Sequence, residues 1–122
     1  MKRNLDENRL FWTNDANDQV GQILYSPMPD HATLICEEVL VNPQFRGHGI
    51  GGKIMADFVE FAKEREQKIY PLCPFALKYF QNHPELAGMN MHEQITAEKV
   101  KNLTNRKWVD NYGSKWTKKT GR

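Results

Sequence analysis

Cysteine is scarce in this chain, with only Cys36 and Cys73 among 122 residues. Two isolated thiols do not make the disulfide framework of a small secreted domain, and they fit a reducing cytoplasm. Long apolar runs are also missing, and nothing approaches the ~18 residues of a membrane span. The opening Met1-Lys2-Arg3-Asn4-Leu5-Asp6-Glu7 has no apolar core of the kind a signal peptide needs. Histidine is sparse, four residues without ligand spacing, so no zinc or other metal site is expected. There is no internal repeat and no low-complexity segment. What is left, 26% charged and 39% hydrophobic residues, is the composition of one soluble globular domain.

The charge is unevenly spread. Residues 96–122 hold eight Lys/Arg against Glu98 and Asp110, so the net +2 of the chain combines a basic tail with an acidic body. A nucleic-acid partner is motivated by that tail alone. The sequence divides into a domain over 1–90 and a basic extension over 91–122, in which Thr96 is a candidate cap for a helix carrying Val100, Leu103 and Trp108.

Arg9–Trp12, Val20–Tyr25 and Thr33–Val41 read as strands, separated by the turn-rich 14–18 and by Pro27 and Pro29. Simple alternation along the third puts Ile35, Glu37, Val39 and Val41 on one face, and Cys36, Glu38 and Leu40 on the other. From Gly49 to about Glu66, Ile50, Ile54, Phe58, Phe61 and Ala62 recur at helical spacing. Lys68–Leu72 is a short buried strand, and Pro74–Asn82 a second helix that stops before Pro84. Antiparallel strands followed by strand–helix–strand–helix describe an α+β fold with one mixed sheet.

Between the third strand and the first helix lies Arg46-Gly47-His48-Gly49-Ile50-Gly51-Gly52-Lys53. Such a loop directs several unpaired N–H groups and the positive end of a helix dipole at one spot, which suits a phosphate or pyrophosphate. Gly47-x-Gly49-x-x-Gly52 fits a dinucleotide fingerprint. That fingerprint also wants a carboxylate at the end of the next strand, where Ile69-Tyr70-Pro71-Leu72 has none. A P-loop would need Ser or Thr after Lys53, and Ile54 stands there. The gapless Arg46–Gly51 instead resembles the Arg/Gln-x-x-Gly-x-Gly loop of GCN5-related N-acetyltransferases. Cys73 after the next strand, with Tyr79 and His83-Pro84 beyond it, is similar to the small single-domain members of that family, over about residues 9–90. Many members carry a His-Thr pair where Glu38 and Val39 stand in this sequence.

The resemblance implies a GNAT-like, mostly antiparallel sheet flanked by helices, and a transfer of acetyl from acetyl-CoA to an amine. Coenzyme A would bind through the backbone of Arg46, Gly47, His48, Gly49, Ile50 and Gly51, with its thioester beside Leu40 and Val41. An exposed amide at Leu40 or Val41 would polarise the acetyl oxygen. Glu38 is the candidate base for the amine, since an ammonium has no lone pair, with Glu37 beside it as the alternative. Tyr79 is the candidate acid for the departing thiolate. Pro74 suits the first position of a helix, so Cys73 is its N-cap, where a thiolate is favoured. Cys73 either accepts the acetyl group or packs beside the route of transfer; Cys36 reads as packing. A non-catalytic acyl-CoA-binding or thiol-sensing module is the alternative. The acceptor amine and the oligomeric state are not legible.

Overall fold

The computed structural model describes residues 1–92. Strands β1 (Lys2–Asp6), β2 (Arg9–Thr13), β3 (Gln19–Pro27) and β4 (Thr33–Val41) are followed by α1 (Ile50–Glu64), β5 (Lys68–Pro71) and α2 (Pro74–Gln81). Short 3-10 turns occupy Pro43–Phe45 and Pro84–Met89. The five strands form one sheet in chain order, antiparallel except for the β4–β5 pair. That pair is parallel because α1 carries the chain back to the starting end of the sheet. This is the expected α+β architecture. The basic extension and its Val100–Leu103–Trp108 helix lie outside the described residues.

One buried cluster joins Leu10 and Trp12 of β2, Ile23 and Tyr25 of β3, and Leu34 and Cys36 of β4 to Ile54, Phe58 and Phe61 of α1. Tyr25 packs on Phe58 and Phe61 with ring centroids 5.8 and 5.7 Å apart. Apolar side chains at helical spacing therefore do what their periodicity implies: they close α1 over one face of the sheet.

β1 is an additional strand, pairing with β2 from Lys2–Thr13 to Asp6–Arg9 across a two-residue turn. Glu7 holds φ +55° in that turn. A tight hairpin of this kind normally advertises itself with Gly or Asn at the positive-φ position, and Glu gives no such signal. Arg3 fixes the hairpin to α1 through the Asp57 carbonyl at 3.2 Å and Glu64 at 3.0 Å. The buried Trp12 donates its indole N–H to Asp57 at 2.7 Å.

Simple alternation fails along β4. Leu24 pairs with Glu38 but Tyr25 pairs with Cys36, which leaves Glu37 as the extra residue of a bulge. Past it the side chains change face. Cys36 shares the α1 face with Val39 and Val41, whose partners are Ile23 and Gly21. The grouping of Cys36 with Glu38 and Leu40 is thereby corrected. Glu38 and Leu40 are exposed on the opposite face, and Glu37 accepts a hydrogen bond from Ser26 Oγ at 2.5 Å.

Candidate active site

β4 and β5 run side by side only from Thr33–Lys68 to Cys36–Pro71. The Leu72 and Cys73 amides then both donate to the Cys36 carbonyl, at 3.0 and 3.3 Å. Beyond that fork β4 continues to Val41 while the chain after β5 turns into α2. The result is a V-shaped opening with half a strand of backbone along one side. Asn42 N–H donates to the Val20 carbonyl at 2.9 Å. Amides alternate along a strand, so Leu40 N–H faces β3 whereas those of Val39 and Val41 face the opening. Of the two amides proposed to polarise a carbonyl, Val41 has the direction for it.

At the wide end sits the glycine loop. Asn42 anchors it, accepting from Gln44 N–H at 3.1 Å and donating to the Gln19 carbonyl at 2.8 Å. Gly47 (φ +84°) and Gly49 (φ +74°) take left-handed backbone that side chains resist. The first helical bond of α1 runs from Lys53 N–H to the Gly49 carbonyl at 3.2 Å. The amides of residues 49–52 therefore have no partner within the helix. They line a pocket of about 250 Å³ with Val41, Arg46, Gly47 and Phe75. A Cβ added at Gly47 or Gly49 would meet no protein atom within 4 Å, so the space above the loop is open to a ligand. The donor set suits a diphosphate. Arg46 Nε donates to the Val41 carbonyl at 3.2 Å, tying the loop to the end of β4. His48 and Lys53 are exposed.

Phe75 was not legible as a site residue. Its ring lies where a Cβ on Gly51 would be, 2.6 Å from Cζ. Only glycine at 51 lets α2 come this close to the start of α1.

At the narrow end is Cys73, the N-cap of α2, with Sγ accepting from Ala76 N–H at 3.4 Å. The Cys36 thiol and the amides of Val39 and Phe75 lie near enough to favour charge on the same sulfur. The Cys36 thiol is the largest cause that brings the Cys73 thiol down to about 6, with the amides next and burial opposing. Cys36 responds in the other direction: the bond to Cys73 and its own burial hold its proton on well above the usual thiol range. Cys73 is thus the more acidic of the two thiols and Cys36 the less acidic. Iodoacetamide should therefore modify Cys73 with a rate that rises through pH 6 and is flat by pH 8. Cys36→Ala should move that midpoint upward. A midpoint near the ordinary thiol value in the unaltered protein would contradict the geometry.

Tyr79 lies six residues along α2 from Cys73, a rise of about 9 Å. Its ring stacks on His83 at 4.2 Å, and burial, followed by Glu85, raises its hydroxyl above the usual range. The structure thus sets the loop and Val41 at one end of the opening and Cys73 at the other, sets Glu38 on the far face, and leaves Tyr79 beside His83. Among the described residues no group of three or more His, Cys, Asp and Glu could hold a metal, and no helix is long and apolar enough to cross a membrane.

The family model described as GCN5-related N-acetyl-transferase matches residues 9–89. The chain belongs to this family. Family members use acetyl-CoA. Among solved structures it resembles a GCN5-like acetyltransferase candidate from Staphylococcus aureus, with TM-score 0.58 and 24% identity over 73% of this chain and 86% of that one. It also resembles Tetrahymena GCN5, with TM-score 0.52 and 15% identity over 63% of this chain. It spans about half of that second protein, 51% of its length. These likenesses carry the GNAT fold. Among curated proteins, none matches the chain in sequence.

Proposed function

We propose that this GNAT domain is an acetyl-CoA-dependent N-acetyltransferase that passes the acetyl group through Cys73 to an amine. The observation that carries the reading is the opening between β4 and α2, which has a glycine loop with free helix-start amides at one end and the N-cap thiol of Cys73 at the other. In this reading the amides of residues 47–52 and Arg46 hold the pyrophosphate of the substrate, and the Val39–Val41 edge guides its pantetheine arm. An amide of β4 that faces the opening polarises the thioester carbonyl. The Cys73 sulfur attacks that carbonyl carbon, coenzyme A leaves as a thiolate, and the acetyl group rests on Cys73. An exchange between thioesters is nearly balanced in energy, so the group can move on to an amine. Two free thiols suit a reducing compartment, and we place the protein in the cytoplasm.

Incubation with acetyl-CoA and no amine tests this. Intact mass should rise by one acetyl group, about 42 Da, on a peptide containing Cys73. Discharge by an added amine should restore the starting mass. An unmodified protein that nevertheless turns over would leave transfer direct, without a covalent stage.

Glu38 is the proposed base; it lies on the exposed face that bears Leu40, so in this reading it takes the amine's proton through water. Its carboxylate stands in water, where a base contributes less than the 10²–10⁴ of an enclosed one. Glu38→Gln should lower turnover about tenfold and leave acylation of Cys73 unchanged. Equal turnover of variant and parent across pH 6–9 would assign the role elsewhere.

A further inference from the structure

The Cys36–Cys73 pair is more than a buried packing residue beside a nucleophile. The Cys73 amide donates to the Cys36 carbonyl at 3.3 Å. One hydrogen bond and its flanking covalent bonds separate the two α-carbons, which holds them within roughly 7 Å, the reach of a disulfide. Cys36 pairs with Pro71 at the end of the parallel ladder, and the chain then bends so that the Leu72 and Cys73 amides both turn to the Cys36 carbonyl. The bulge at Glu37 completes the arrangement by leaving Cys36 on the α1 side, the face that Val39 and Val41 share. The two thiols differ in access as a redox pair should. Cys36 is 0% exposed, whereas Cys73 is half-buried.

We propose that Cys36 and Cys73 form a redox-active dithiol that hydroperoxides oxidise to an intramolecular disulfide. The Cys73 thiolate attacks the terminal oxygen of the peroxide, the O–O bond breaks, and the alkoxide leaves and takes a proton from water. Sulfur is oxidised by two electrons to a sulfenic acid. The Cys36 sulfur then attacks the Cys73 sulfur. The S–S bond forms as the S–O bond breaks, and the departing hydroxide takes the Cys36 proton to give water. Two thiols and one hydroperoxide thus become one disulfide, one alcohol and one water. A thiol reductant reaches the bond from the Cys73 side and reverses it by exchange. The resolving thiol lies within the fold, so the sulfenic acid is short-lived and further oxidation is intercepted. The oxidised protein also has no free Cys73 sulfur for any acyl group, although the redox reaction itself requires no acyl transfer.

The chain has only these two cysteines, which makes the test unambiguous. The reduced full-length protein is treated with one equivalent of hydrogen peroxide, then denatured, alkylated and weighed. The expected product is a monomer lighter by about 2 Da with neither cysteine alkylated, restored by dithiothreitol and yielding a linked Cys36–Cys73 peptide. Cys36→Ser should instead accumulate products on Cys73 heavier by about 16 and 32 Da. That variant keeps a small hydroxyl in the core and is checked for folding by circular dichroism. The proposal is overturned if the parent protein gives those heavier products with Cys36 still alkylatable, or gives only disulfide-linked dimers. These outcomes do not depend on acetyl-CoA, so a failure here is distinguishable from a failure of the acetyl-transfer reading.

Discussion

Gly49→Val is expected to weaken acetyl-CoA binding about a hundredfold, ~2.7 kcal/mol by the affinity scale. Gly49 is the N-cap of α1 at φ +74° and ψ +17° and makes no side-chain cap bond. Left-handed backbone costs an L-residue roughly 1–2 kcal/mol, and a β-branched residue is among the least tolerant. Valine relieves that strain by turning the peptide, which aims the amides of the first helical turn away from their common focus. Any side chain that stays in place points into space now free of protein atoms, where the diphosphate would lie. Asparagine separates the two effects, because it tolerates the left-handed region and still carries a Cβ. Gly49→Asn should recover part of the loss. Isothermal titration gives both affinities. An unchanged constant for a folded Gly49→Val protein would remove the pyrophosphate from this loop.

The loop and the first helix were open to reading from the sequence because their signals are local. Arg46, the closely spaced glycines and an apolar 3.6-residue period each point to a backbone geometry without reference to the rest of the chain. Cys73 was legible as an N-cap for the same reason, since Pro74 marks the first turn of α2. The bulge at Glu37 was not. It is defined by pairing with β3, and nothing in Ile35-Cys36-Glu37-Glu38-Val39 distinguishes a bulged strand from a regular one. With the bulge unseen, Cys36 fell on the wrong face and its approach to Cys73 was hidden. That approach joins residues 37 positions apart through a parallel pair, which no local period reports. Phe75 shows the same limit. Its role follows from the space at Gly51, and that space exists only once α1 and α2 meet.

Cys73→Ser is expected to have the largest effect on catalysis, lowering turnover about a thousandfold, or ~4 kcal/mol of barrier. Serine is a better N-cap than most residues, so α2 keeps its first turn and the protein its fold. What changes is the chemistry of the atom at the fork. The Cys36 thiol, and after it the Ala76, Val39 and Phe75 amides, lower the Cys73 thiol to about 6 against the effect of burial. The same donors cannot ionise a hydroxyl there, because its pKa starts several units higher. An oxygen ester is also more stable than a thioester, so any acetyl group that reached the substituted hydroxyl would be slow to move to an amine. Acetyl-CoA affinity should stay within about twofold, since the loop at residues 46–52 lies at the other end of the opening. Coenzyme A release is measured against lysine peptides, polyamines and aminoglycosides, with binding measured in parallel. A drop in turnover with affinity intact assigns the Cys73 sulfur to the transfer step. If Cys73→Ser keeps more than a tenth of parental turnover with any of these amines, acetyl passes directly to the acceptor and the thiolate at the fork serves another purpose.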